Sequence, residues 1–155
     1  MAYWRMQLHP SEPGEAIRHA VTSLAAHFIG LDFASDVGDL SRVSPASLPE
    51  GQRDYLAFAT QMTEGDRVLI IVHHFPFALC RVAGGYNYVR EVCPELGIWF
   101  RHFRRVDDVR FYGDFVTNAQ PWEHIRMTDA ISPLHDQAGV SYKLIQRWMG
   151  AAQRQ

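Results

Sequence analysis

The hydrophobic and polar positions of this chain fall into short blocks of changing period. Tyr3 to Leu8 alternates ring and polar residues, the period-two signature of a half-buried strand. His9-Pro10-Ser11-Glu12-Pro13 breaks it, and Pro13 suits the first turn of a helix capped by Ser11. Ile17, Ala20, Val21, Leu24 and Phe28 then follow helical spacing, with Gly30 as the terminator and Leu31-Asp32-Phe33 as a short strand behind it. Val37 to Pro49, rich in Ser, Pro and Asp, reads as a loop. Tyr55, Phe58, Ala59 and Met62 predict a second amphipathic helix that ends near Glu64-Gly65.

Glu64 to Val106 is the densest stretch. The apolar run Val68 to Val72 predicts a buried strand reaching His73-His74-Phe75, and Phe77 to Val82 predicts a second. Gly84-Gly85-Tyr86-Asn87-Tyr88 forms an aromatic loop. Ile98 to Val106, a third strand, alternates large rings with arginines, and Arg110-Phe111-Tyr112 reads as one more strand. Gly113 to Pro121 is loop-like, and Ile131-Ser132-Pro133 interrupts again. Ser141 is a candidate cap for a final helix carrying Leu144, Ile145, Trp148 and Met149 on one face. This order predicts an α+β fold, a small curved β-barrel with flanking helices, because sheets with such short connections close to remove their edges. The expected organisation is one domain over residues 1–150, with 151–155 a frayed terminus or the start of a linker.

Composition narrows the functional classes. A formal net charge of −2 excludes a surface coated in basic residues, yet Arg101, Arg104, Arg105 and Arg110 cluster, and Lys143 is the only lysine. Arginine suits bidentate phosphate contacts and stacking on bases. Cys80 and Cys93 lie in or beside apolar segments, the pattern of a reduced, intracellular and cytoplasmic protein. There is no run of about 18 apolar residues to span a membrane. The sequence holds no phosphate-binding glycine loop, no Gly-x-Ser-x-Gly elbow and no deaminase pattern of His-x-Glu with a downstream Cys pair. His73 and His74 would need His102 or Cys80 to make a metal site, and no Cys-x-x-Cys or His-x-x-x-His spacing supports one. The expectation is a non-catalytic chain with no cofactor and no metal.

Tyr3-Trp4, the helix from Ser11, Gly30-Leu31-Asp32-Phe33 and Met62 to Ile70 together carry a resemblance, as do Ala78 to Val82 and Trp99 to Val109. In order and spacing these resemble the EVE domains of the PUA-like superfamily, relatives of the YTH domains, over Ala2 to about Tyr112. The chain departs from the usual opening at Gln7-Leu8-His9-Pro10. The resemblance implies a PUA-like barrel that holds one modified base in an aromatic pocket. It further implies the specificity module of a restriction or defence system, attached to or associated with nuclease or NTPase modules, reading methylated DNA. A base in a duplex must be flipped out to reach such a pocket. A 5-methylcytosine-type modification is favoured over N6-methyladenine. The alternatives are an RNA-binding PUA-like module reading modified RNA, and a small metal-dependent nuclease or hydrolase.

Eleven residues are the candidate nucleic-acid-binding set: Trp4, Asp32, Phe33, His74, Tyr86, Asn87, Tyr88, Trp99, Arg101, Arg104 and Arg105. By the resemblance Asp32 lines the pocket mouth, where a carboxylate accepts from an exocyclic amino group; otherwise it is a loop aspartate facing water. Trp4, Phe33, Tyr86, Tyr88 and Trp99 are cage candidates, each also able to serve as core. Tyr88 leads because tyrosines on a polar, glycine-bearing loop are poorly placed for a core. Arg101, Arg104 and Arg105 would position the nucleic-acid backbone or, alternatively, form a solvated edge balanced by Asp107 and Asp108. One face of the third strand must be buried. Ile98, Phe100, His102, Arg104 and Val106 are the better candidates, with His102 and Arg104 fitting that face awkwardly.

Overall fold

The computed structural model of the chain describes residues 1–8, 16–33, 36–48, 55–72, 74–112, 125 and 131–153. The expected Ser11–Pro13 helix start, His73, the Gly113–Pro121 loop and the last two residues lie outside them. The elements are β1 (Tyr3–Gln7), α1 (Ala16–Ala25), β2 (Phe28–Leu31), α2 (Tyr55–Thr60), β3 (Arg67–Val72), β4 (Phe75–Val82), β5 (Asn87–Tyr88), β6 (His102–Phe111), β7 (Ile131–Pro133) and α3 (Val140–Gln153). The sheet runs β2-β6-β4-β3-β1-β7, with β5 added beside β6. It is strongly curled into a half-barrel, so the fold is α+β, compatible with a small curved barrel.

Strand β3 is buried at every residue because both faces of the sheet are covered. Ile70 and Val68 join Met6, Leu24 and Phe58 in the larger core, whereas Leu69 and Ile71 meet Leu144, Ile145 and Trp148 of α3 in the second. A continuous apolar run is what a strand covered on both sides requires. The apolar face expected for the last helix is the face that packs.

At the open end of β3, Asp66 is 3% exposed yet charged. It accepts hydrogen bonds from Ala2 N–H (2.9 Å), Trp4 Nε1–H (3.0 Å), Thr63 N–H (3.0 Å) and the Thr63 hydroxyl (3.3 Å). Burial works against the charge, but these donors outweigh it and hold the carboxyl below its ordinary pKa.

Four local expectations are corrected. Helix α1 ends at Ala25, and Gly30 sits inside β2 opposite Phe103. The chain turns at His27 (φ 67°), whose N–H bonds Leu24 C=O at 3.0 Å, so Phe28 leaves the helical pattern. Glycine is needed at position 30 because a Cβ there would lie 2.1 Å from the Phe100 ring and 2.3 Å from the His102 carbonyl oxygen. Second, the third strand starts at His102 and absorbs Arg110-Phe111 into one long β6. Its first half pairs with β2 and β5 and its second half with β4, the change falling between Arg105 and Val106, with a register shift in the β4 pairing at Asp108 (φ 46°) just beyond it. Third, Ile131–Pro133 is strand β7, paired antiparallel to β1. Fourth, Ser141 lies within α3, where its hydroxyl accepts from Arg5 Nη1–H at 3.4 Å.

Candidate functional site

Three strands meet where β6 begins, and their residues build the most mixed environment described. Leu31 and Tyr88 flank His102 from β2 and β5, one on each side. The alternation expected for this strand holds only in part: His102, Arg104 and Val106 are buried and Arg105 is exposed, but Phe103 on the opposite face is buried as well, edge-on to Phe28. The two awkward residues are therefore inside, and each is explained by its partners.

Arg104, 4% exposed, donates Nε–H to Phe58 C=O (2.7 Å), Nη2–H to Ala59 C=O (3.2 Å) and Nη1–H to Gly84 C=O (3.0 Å). Its guanidinium also lies 5.7 Å from the Phe58 ring centre. It closes the carbonyl end of α2, where cations are favoured. Burial lowers its pKa from the ordinary value. A phosphate-binding role for Arg104 is thus corrected, because its donors face backbone carbonyls in the interior.

His102 has no exposed surface. Its Nδ1 lies 2.6 Å from the Tyr86 hydroxyl, which also accepts the Leu40 N–H at 2.9 Å. Phe33 meets the imidazole edge-on at 5.4 Å, Tyr88 lies tilted at 5.3 Å, and Tyr86 is near-parallel at 6.0 Å. Tyr55 extends the group from Phe33 at 4.9 Å. Nε2 of His102 is buried with no hydrogen-bond partner among the described residues. An unpaired buried N–H costs about 1–3 kcal/mol. Burial, chiefly, keeps the imidazole pKa below its ordinary value, with Asp32 opposing. Burial also pushes the Tyr86 hydroxyl up to about 12, so it keeps its proton.

Carboxylates rim this aromatic group. Asp32 accepts Arg101 Nε–H (2.8 Å), Arg101 N–H (3.2 Å) and Phe33 N–H (2.8 Å). Arg101 also donates to Phe33 C=O at 2.9 Å, so Asp32 and Arg101 form a closed clasp. Asp36, further out and exposed, accepts the Tyr88 hydroxyl at 2.6 Å and Gly38 N–H at 2.9 Å. The Tyr88 bond is the first cause that lowers the Asp36 pKa and raises that of Tyr88.

Of the eleven sequence-chosen residues, Asp32, Phe33, Tyr86, Tyr88 and Arg101 come together here, and Asn87 takes part through β5, pairing with Phe103. Arg105 is exposed on the outward face of β6. Trp4 is corrected to an interior residue, 3% exposed with its N–H held by Asp66. Trp99 lies flat on His19 of α1, with ring centres 4.0 Å apart and planes 19° apart. His74 takes a left-handed turn (φ 63°) between β3 and β4, and its carbonyl accepts Ile125 N–H. The hairpin lies at the far end of β4 from Val82, which pairs with Val106, roughly 23 Å away along the strand.

Sequence reasoning missed His102, Asp36 and Tyr55 as members. The misfit of His102 with its own face was the available signal; Asp36 had none, since 52 residues separate it from Tyr88. No group of three or more His, Cys, Asp or Glu residues able to hold a metal occurs among the described residues. Cys80 and Cys93 are free thiols, and burial raises the pKa of the former. None of the described helices is long and apolar enough to cross a membrane. A cavity of about 560 Å³ lies elsewhere, against Leu134, Ser141 and Tyr142, but its Arg5 is committed to Ser132 and Ser141. No protein-family model and no curated protein matches the chain.

Proposed function

We propose that this chain is a non-catalytic reader of a modified base in DNA, most suited to a 5-methylcytosine-type base, serving a restriction or defence assembly with nuclease or NTPase modules. The observation that carries the reading is the group Phe33, Tyr55, Tyr86, Tyr88 and His102 with carboxylates on its rim. Aromatic faces accept a flat base, and stacking contributes ~1–3 kcal/mol per base. That offsets much of the few kcal/mol needed to unpair and unstack the target. The resemblance to EVE domains, including a curved sheet, supports the same reading.

On this reading the roles are redistributed. Asp36 replaces Asp32 as the acceptor of the exocyclic amino group, because Asp32 is consumed by Arg101 and its own neighbour. Tyr88 becomes the movable wall, held from the solvent side by Asp36. Phosphate contact falls to exposed Arg105, joined by exposed Arg90 two residues beyond Tyr88. A few such contacts give weak, salt-dependent affinity, in keeping with a module that borrows affinity from attached domains. Titration of duplexes with and without one 5-methylcytosine, with the matching RNA as competitor, tests this. Preferential binding of the methylated DNA is expected; equal affinity for both duplexes sinks the proposal, and preference for the RNA turns it into an RNA reader.

A further inference from the structure

The hydrogen-bond pattern around His102 fixes its tautomer. Tyr86 Oη accepts the Leu40 N–H, and among the described residues its own hydrogen has no acceptor other than His102 Nδ1 at 2.6 Å, which assigns the acceptor role to Nδ1. A neutral imidazole that accepts at Nδ1 carries its proton at Nε2. That Nε2–H is buried and unpaired among the described residues, in a ring with no exposed surface. Buried donors are paired in nearly all folded proteins, so an open one inside an aromatic group is an unfilled valence. The charged groups that act on it are mixed, the carboxylates of Asp32, Asp36 and Asp39 against the Arg101 guanidinium, and Arg101 is itself clasped by Asp32.

We propose that His102 Nε2–H is the specificity-determining donor of the base site: it bonds the unprotonated ring nitrogen of a cytosine- or adenine-type base whose exocyclic amino group is accepted by Asp36. This inference rests on the base-reading proposal and adds the group that reads the ring edge. Tyr88 links the two groups, its ring 5.3 Å from the His102 ring and its hydroxyl on Asp36. A base taking its place would need a donor and acceptor of this kind to match the amino group and adjacent ring nitrogen of cytosine (N4, N3) or adenine (N6, N1). Thymine and guanine present a carbonyl beside a ring N–H. They would set N–H against N–H and oxygen against carboxylate, leaving buried groups unpaired on both sides. A 5-methyl group leaves the reading edge of cytosine untouched, so the modification itself is sensed by the surrounding rings. Tyr88, on the two-residue strand β5 and tied outward to Asp36, is the ring the base displaces.

The test uses the chain as it stands and three short DNA duplexes, carrying one cytosine, one 5-methylcytosine, or the 3-deaza analogue of 5-methylcytosine, which lacks the ring nitrogen. Removing that nitrogen also weakens the base pair and eases extrusion, so a loss of binding cannot come from harder flipping. Preference for 5-methylcytosine over cytosine, with about a tenfold or greater loss on the 3-deaza duplex, supports the proposal. His102→Phe should lose a similar factor on 5-methylcytosine and nothing further on the 3-deaza duplex, while His102→Gln, which keeps a donor at comparable reach, retains most of the affinity. If His102→Phe fails to fold, the wild-type protein with the two ligands still decides. Preference for 5-methylcytosine with no loss on the 3-deaza duplex overturns the role of His102 and leaves the base reader standing. No preference between cytosine and 5-methylcytosine removes the base reader, and this inference with it. In the free protein, nitrogen NMR should show a protonated Nε2 and an unprotonated Nδ1 in His102; the reverse overturns the tautomer and the proposal.

Discussion

Two buried polar groups, at two corners of the sheet, are treated in opposite ways. Asp66, at the start of β3, is surrounded by four donors and satisfied on both oxygens. His102, at the start of β6, is equally buried, but among the described residues only one of its ring nitrogens is engaged. The first corner ties the N-terminal strand and the Thr63 turn to one carboxylate, a device that fixes geometry. The second keeps a donor open beneath a tyrosine on a two-residue strand, whose hydroxyl is held by an exposed aspartate. On the base-reading proposal, stability and binding are separated in space, and substitutions should respond differently at the two corners.

The largest effect is expected at Asp66. Asp66→Ala leaves the indole N–H of Trp4 and the backbone N–H groups of Ala2 and Thr63 without their acceptor, and should cost about 3–5 kcal/mol in denaturant unfolding. Asp66→Asn, keeping one acceptor oxygen, should lose less. The native pKa of Asp66 lies below that of the unfolded chain, so its contribution is present above pH ~4 and falls away as pH drops through the native value. Acid unfolding that is unchanged in Asp66→Asn would show that this corner is not the anchor.

Next in size is Arg104→Met, which keeps the aliphatic stem and removes three donors to backbone carbonyls. It should cost about 2–4 kcal/mol, with Arg104→Lys recovering part, and should leave the salt dependence of nucleic-acid binding unchanged. A reduced salt slope in the folded variant would return Arg104 to the phosphate-binding set. Arg105→Gln should behave in the opposite manner, with unaltered melting and a shallower salt slope.

How these corners looked in the sequence explains which parts were legible. Period-two alternation identified β1, apolar runs identified β3 and β4, and helical spacing identified α2 and the packed face of α3, because those elements meet the core through their own local pattern. Gly30 was misread because a glycine after apolar residues at helical spacing looks like a stop signal. Its actual cause is contact with Phe100, 70 residues away, which no local pattern encodes. The same limit hid Asp36 behind Tyr88 and Asp66 behind Trp4. His102, weighed as a metal ligand, and Arg104, placed among the phosphate contacts, also stood out as misfits on a face that otherwise had to be buried. Those misfits held the information: one marks a helix cap, the other the open donor.

A smaller, pH-dependent effect should separate the corners again. Burial holds the native pKa of His102 below the unfolded value near 6.5. The neutral ring therefore contributes its stability above pH ~6.5, and that contribution is lost as pH falls through the native value. Melting followed from pH 7 to pH 5 should decline in the wild-type chain and flatten in His102→Phe, while Asp66→Asn should keep the decline. A decline that persists unchanged in His102→Phe would assign the titration to another histidine.

The smallest effect on stability is expected at Tyr88. Its hydroxyl bond to Asp36 is solvent-exposed at both ends, and exposed contacts to carboxylates contribute little to folding. Tyr88→Phe should leave the melting temperature unchanged. The Tyr88 bond is the leading cause of the low Asp36 pKa, so carboxylate NMR should show the Asp36 titration rising toward the ordinary range. Tyr88→Phe should also bind the 5-methylcytosine duplex at least as well as wild type, because Asp36 no longer has to exchange a tyrosine hydroxyl for the base. If the substitution instead lowers the melting temperature as Arg104→Met does, Tyr88 is a structural support, and the contrast between an anchored corner and an open one disappears.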